Sequence, residues 1–94
     1  MQRMKFTVQG RVQGVGYRHF TFKTATGLGL TGWVRNLTSG DVEVEAYGPE
    51  GLLNQLLERC QEGPPASQVE RLFTVLREPA SHSPFPIFEI RRTD

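Results

Sequence analysis

Arg18 and Asn36 are the two residues of this chain whose types and settings best suit chemistry on an anion. Arg18 closes the stretch "VQGRVQGVGYR", residues 8–18, in which Gly14 and Gly16 follow a run of alternating polar and apolar residues. If a strand ends near Val12 and a helix begins near Arg18, the loop between them delivers the chain to a helix N-terminus, where the first backbone N–H groups lack partners. No Ser, Thr, Asp or Asn lies between Gln13 and Arg18 to cap them. The two glycines leave the backbone unobstructed. Successive N–H groups in such a turn converge into a nest that a phosphate would satisfy. Arg18 sharpens this reading, because a cation in the first turn adds to the positive end of the helix dipole, at a cost of about 0.3–1 kcal/mol without compensation. An anion between the two reverses the sign, and a guanidinium grips two phosphate oxygens at once. The same residues also suit a plain surface turn with a solvated arginine, since a Gly-x-Gly pattern alone is weakly specific.

Asn36, in "GWVRNL", follows an apolar stretch at the end of a predicted strand, a position where asparagine is depleted. Its amide offers one donor group and one acceptor, enough to hold a water molecule if the fold brings it to the glycine loop. A turn-forming role at the head of a hairpin is the simpler alternative.

The elements that would position these residues can be read from periodicity. Phe6, Val8 and Val12 share one parity, with Gly10 between them, and predict a strand over residues 4–12. From Tyr17 the period becomes helical, with Tyr17, Phe20, Thr24 and Leu28 able to share a face, Thr26 and Gly27 weakening the helix, and Gly29 as its stop. The run "LTGWVRNLTSGDVEVEAYG" predicts two strands joined at Thr38-Ser39-Gly40-Asp41, with Val42, Val44 and Ala46 alternating against Glu43, Glu45 and Tyr47. Pro49 suits a first helical position, Leu52, Leu53, Leu56, Leu57 and Cys60 form an apolar stripe, and Gly63, Pro64 and Pro65 end that helix. "SQVERLFTVLRE" predicts a fourth strand and "FEIRR" a short fifth, confined to an edge by Pro84 and Pro86. The order β-α-β-β-α-β with a short extra C-terminal edge strand predicts an α+β fold, a ferredoxin-like α/β sandwich. Right-handed crossovers would place both helices on one face of an antiparallel sheet.

Ninety-four residues suit one domain, residues 1–94, with a single core. A net charge of +1 gives no general attraction to nucleic acid or anionic membrane. The lone Cys60 excludes an intramolecular disulfide, a CxxC redox pair and multi-thiolate metal sites. With no signal-like segment and no apolar run of spanning length, the expectation is a soluble cytoplasmic protein, and the length is compatible with a monomer.

The sequence resembles the acylphosphatase family over essentially its whole length. "VQGRVQGVGYR" is similar to that family's first signature, "GWVRNLTSGDVEVEAYG" to its second, and the likeness runs through "EGPPASQVERL" to the closing "FEIR". The resemblance implies hydrolysis of the carboxyl-phosphate anhydride of small acyl phosphates without metal or cofactor, with inorganic phosphate as product and competing ligand. It places Gln13, Gly14, Val15, Gly16, Tyr17 and Arg18 in the phosphate cradle, makes Arg18 the substrate-binding arginine, and makes Asn36 the residue that orients the attacking water. Tyr17 stands where some members have phenylalanine.

What the chain lacks agrees with that chemistry. An acyl phosphate expels a carboxylate whose conjugate acid has a pKa of roughly 4, so no proton donor is needed at the leaving group. Asp41 and Asp94 are the only aspartates, too few for an aspartyl nucleophile with a two-metal cluster. Cys60 reads as core. His19 should point about 100° away from Arg18 on the helix and reads as a surface residue, and so does His82 in the "SHSPFP" loop. Trp33, Tyr47 and the phenylalanines read as packing, Glu43 and Glu45 as solvated unless arginines pair with them, and Arg91 with Arg92 as too small a cluster for a binding patch. An RNA-recognition module shares the element order, yet its third strand should be aromatic and basic, whereas "DVEVEAY" carries two glutamates. A metal-transfer domain would need paired cysteines. A sensor that keeps the cradle without turnover is a further alternative.

Overall fold

Alternation from Met4 to Val8 sets one side of the first strand against a core, and that side is fully buried at Met4, Phe6 and Val8. The computed structural model describes residues 1–94, in the order β1 (Gln2–Arg11), α1 (Tyr17–Gly27), β2 (Thr31–Asn36), β3 (Val42–Gly48), α2 (Glu50–Glu62), β4 (Gln68–Pro79) and β5 (Phe88–Ile90). The strands form one sheet in the order β4-β1-β3-β2-β5. Both helices contribute to the same core, which joins Met4, Phe6, Val8, Val34, Val42 and Val44 of the sheet to Tyr17, Ala25, Leu53, Leu56 and Cys60. This is the ferredoxin-like sandwich expected from the sequence.

One feature of the sheet differs from the expected antiparallel arrangement. The four long strands pair antiparallel, but β5 lies parallel to β2, with Phe88 opposite Gly32 and Ile90 opposite Val34. The reason is topological. Pro79 ends β4 beside Gln2, at the same end of the sheet where Thr31 begins β2. Residues 80–87 cross that end, so β5 sets off in the direction of β2. It lies at the sheet edge as expected, although Pro84 and Pro86 fall in the segment before it rather than within it.

The inward face of α1 also differs. Tyr17, Thr21 and Ala25 are the buried residues, while Phe20, Thr24 and Leu28 are half-buried. Thr21 can enter the core because its hydroxyl donates to the Tyr17 carbonyl at 3.0 Å, which hides its polarity inside the helix. Phe20 is displaced to the rim, where the Arg59 guanidinium lies 5.9 Å from its ring centre. In α2, Leu53, Leu56 and Cys60 are buried, and Leu52 and Leu57 flank them. Pro49 precedes this helix with extended φ and ψ rather than occupying its first turn, and its carbonyl accepts from Leu52 and Leu53.

The face of the sheet away from the helices is charged and paired. Glu43 accepts from Arg35 at 2.7 Å and lies 3.4 Å from Lys5, and Glu45 meets Arg3 at 3.2 Å. Trp33 sits among them, with the guanidinium groups of Arg35 and Arg91 at 4.9 and 5.0 Å from its ring. The glutamates are therefore not merely solvated, and the indole is covered rather than offered as a stacking platform.

Tyr17 locks α1 to α2. The Cys60 carbonyl would accept from residue 64 in a continuing helix, but Pro64 has no N–H, and the Tyr17 hydroxyl donates to that carbonyl instead. Tyr17→Phe is therefore expected to lower stability by about 1–3 kcal/mol in denaturant unfolding while leaving the fold intact. Burial pushes the Cys60 thiol up to about 11, a shift opposed by its contacts with Thr21 and Tyr17. The folded state thus keeps this thiol neutral at a pH where the unfolded chain has already ionised it. Its contribution is complete below the ordinary thiol pKa and is lost as pH rises towards 11. Unfolding measured from pH 8 to 11 should show Cys60→Ala losing less stability over that range than the parent protein.

Candidate active site

The loop after β1 ends on a helix that has no cap. Gly16 occupies the N-cap of α1 at φ 79° and ψ 16°, no side chain bonds the free N–H groups, and the first turn holds no acidic residue. Gly14 is likewise left-handed at φ 73°, and no residue other than glycine has positive φ. The loop therefore alternates between the two hands of backbone, the conformation that turns successive N–H groups towards one point. Added Cβ atoms at Gly14 and Gly16 would meet nothing within 4 Å, so conformation rather than space demands glycine there.

Two tethers set the placement of this loop. Gln13 sends its side-chain amide away from the loop to the carbonyls of Leu37 and Asp41, both at 2.8 Å. Tyr17 sends its ring into the core, where it is 1 % exposed, and burial drives its hydroxyl pKa well above the usual range. Neither side chain lines the nest by its polar end; what these residues can offer an anion there is backbone. The sequence marked their positions but not the directions of their side chains.

Arg18 lies in the first turn with its side chain half-buried, and one Nη1–H donates to the Arg91 carbonyl at 3.2 Å. It forms no ion pair with any carboxylate, which leaves its charge uncompensated beside the positive helix end. Asn36 is the last residue of β2, opposite Val42, and is 9 % exposed. Its Oδ1 is buried and accepts no hydrogen bond from the protein. A buried acceptor in that condition costs about 1–3 kcal/mol, which a donor in the adjoining space offsets. That space is a cleft of about 210 Å³ lined by Val12, Gly14, Gly16, Tyr17, Arg18, His19, Asn36 and Ile90.

The structure thus brings Gly14, Gly16, Arg18 and Asn36 to one cleft, although Arg18 and Asn36 come from different elements. Sequence reading did not foresee Ile90, His19 or the last residues as neighbours of the cleft. The backbone of Arg91 bonds both Arg18 and Val34, and the Asp94 N–H donates to the Asn36 carbonyl at 3.1 Å. Contacts across 73 residues leave no local signal in a sequence. His19 stacks near Phe22 at 6.3 Å, and His82 is exposed, bonded to Ser81 and not among the residues that line the cleft. No three His, Cys, Asp or Glu side chains gather where a metal could be held.

Comparison with known proteins converges on one family. Residues 4–90 match the family model described as acylphosphatase. The chain is 53% identical to an acylphosphatase of Syntrophotalea carbinolica over 89 residues, 95% of each chain. Its structure is similar to that of an acylphosphatase from Bacillus subtilis, with a TM-score of 0.90, 36% identity and coverage of 97% of this chain and 99% of that one. A Coxiella burnetii acylphosphatase structure gives a TM-score of 0.84 at 38% identity, covering 96% and 92%. With the family model, the relatives and the folds in agreement along nearly the full length, the chain belongs to the acylphosphatase family and is an enzyme that hydrolyses acyl phosphates.

Proposed function

We propose that hydrolysis proceeds by attack of water on phosphorus, with Arg18 and the loop amides of residues 13–18 holding the phosphoryl group and Asn36 orienting the water. The observation that carries this reading is the pairing, across one cleft, of an uncapped and uncompensated cationic helix start with a buried side-chain acceptor that has no protein partner. The first feature calls for an anion, and the second calls for a donor such as water.

The chemistry needs little else. The transition state of phosphoryl transfer is loose, so the demands on the protein are to neutralise the charge on the phosphoryl oxygens and to place the nucleophile in line. Arg18 uses one N–H on the Arg91 carbonyl, which fixes the guanidinium plane and leaves its remaining donors for two phosphoryl oxygens. The amide of Asn36 is too weak a base to take a proton from water, so its part is orientation; the proton passes late to a phosphoryl oxygen of the substrate. The leaving carboxylate is stable as an anion and departs without an acid. This route requires neither metal nor cofactor. The substrate is a small acyl phosphate, and inorganic phosphate, as the product, competes for the same cradle.

Benzoyl phosphate hydrolysis in the presence of a chelator tests the scheme. Arg18→Ala should lower kcat/KM by about 10²–10³-fold, the usual loss for removal of one transition-state donor, and should weaken inhibition by phosphate. Asn36→Ala should lower kcat on a similar scale while the phosphate inhibition constant stays within about threefold. Chelator-sensitive turnover, undiminished activity of Arg18→Ala, or joint loss of turnover and phosphate binding in Asn36→Ala would each overturn the scheme.

A further inference from the structure

We infer that Gln13 is a positioning residue, whose side chain sets the spacing between the phosphate cradle and Asn36 without itself touching the phosphoryl group. The inference rests on the roles proposed above for the loop and for Asn36.

Tyr17 and Val15 hold the far side of the cradle through the core, but its near side depends on Gln13. At Gly14 and Gly16 even an added Cβ would meet nothing, and the only side-chain hydrogen bonds made by residues 13–16 are those of the Gln13 amide. Both protons of its Nε2 are engaged, one on the Leu37 carbonyl and one on the Asp41 carbonyl, each at 2.8 Å. Those two carbonyls close the β2–β3 turn, where the Leu37 N–H also donates to the Asp41 carbonyl at 2.8 Å. Leu37 directly follows Asn36, and Gly14 directly follows Gln13. The bridge therefore joins a residue next to the cradle with a residue next to the water-orienting amide. Gln9 adds a second tie from β1 to the same turn, its Nε2 donating to Asp41 Oδ2 at 3.2 Å.

The side chain suits this part and no other nearby. A primary amide supplies two N–H donors from one nitrogen without charge, as two converging carbonyls require. Asparagine would fall one methylene short, glutamate would present oxygen to oxygen, and lysine would bring a charge into a cleft margin that is already cationic. Geometry of this kind matters because misplacement of a reacting group by about 1 Å can cost on the order of 10²-fold in rate.

The test is a double-mutant cycle on the full chain with benzoyl phosphate as substrate and inorganic phosphate as inhibitor. Gln13→Met, which keeps length and volume but removes both donors, should lower kcat by about tenfold or more while phosphate inhibition changes by less than about threefold. In an Asn36→Ala background the same substitution should produce no further loss, because the residue it positions is gone. Equal losses in both backgrounds, or weakened phosphate inhibition in Gln13→Met, would overturn the inference and leave the roles of Arg18 and Asn36 standing. An Asn36→Ala enzyme with full kcat would instead overturn the site reading, and this inference with it. Should Gln13→Met fail to fold, the parent protein still decides: the Gln13 side-chain amide protons should exchange slowly and show bonds across to carbonyl carbons of Leu37 and Asp41 in NMR spectra. Rapid exchange without those couplings would sink the proposal.

Discussion

The positive end of α1 has nothing of the protein's own to neutralise it. Its N-cap is a left-handed glycine, its first turn lacks an acid, and Arg18 adds a full charge where a carboxylate would be the stabilising choice. Much of the surrounding architecture keeps this unfavourable arrangement in place. Tyr17 anchors the same turn in the core through the Cys60 carbonyl, so the helix cannot shift to relieve the strain on its start. The Arg91 carbonyl holds the guanidinium from the other side. Stability lost locally at the helix start is offset by packing behind it, a common distribution where a surface must receive a ligand of opposite charge.

Elsewhere, part of the molecule's charge is paired. On the sheet face away from the helices, cations and carboxylates neutralise one another: Arg3 with Glu45 and Glu78, Lys5 and Arg35 with Glu43, Arg91 with Glu89. Each such surface pair contributes little to stability. Arg18 is among the cations outside these pairs, and it stands at the mouth of the cleft. What distinguishes Arg18 among the unpaired cations is its place in the first turn of an uncapped helix.

Much of this was legible in the sequence, and the parts that were not share a physical cause. Period-two and period-3.6 patterns located β1, the β2–β3 pair and α2, because burial of one side imposes those periods on residues such as Phe6 and Val8 or Leu53 and Leu56, whereas β-forming composition marked β4. The missing cap and the adverse charge at Arg18 were also local facts, readable within six residues of chain. By contrast, the inward face of α1 was misjudged because Thr21 conceals its hydroxyl against its own helix, which composition does not reveal. The parallel pairing of β5 depended on which end of the sheet residues 80–87 cross. The direction of the Gln13 side chain, the cover that Ile90 gives the cleft and the closure of Arg18 by Arg91 depended on contacts between distant parts of the chain, for which no window of sequence carries a signal.

Those distant contacts have a consequence for how the molecule comes to be competent. The bond from Arg18 to the Arg91 carbonyl spans 73 residues, and the one from Asp94 to Asn36 brings the last residue to the second strand. Closing such large loops is entropically slow and yields nothing until the intervening sheet exists. Arg91 directly follows β5, so the pairing of β5 with β2 that finishes the edge of the sheet also sets the carbonyl of Arg91 beside Arg18. The final strand, only three residues long, thus couples completion of the fold to assembly of the anion site.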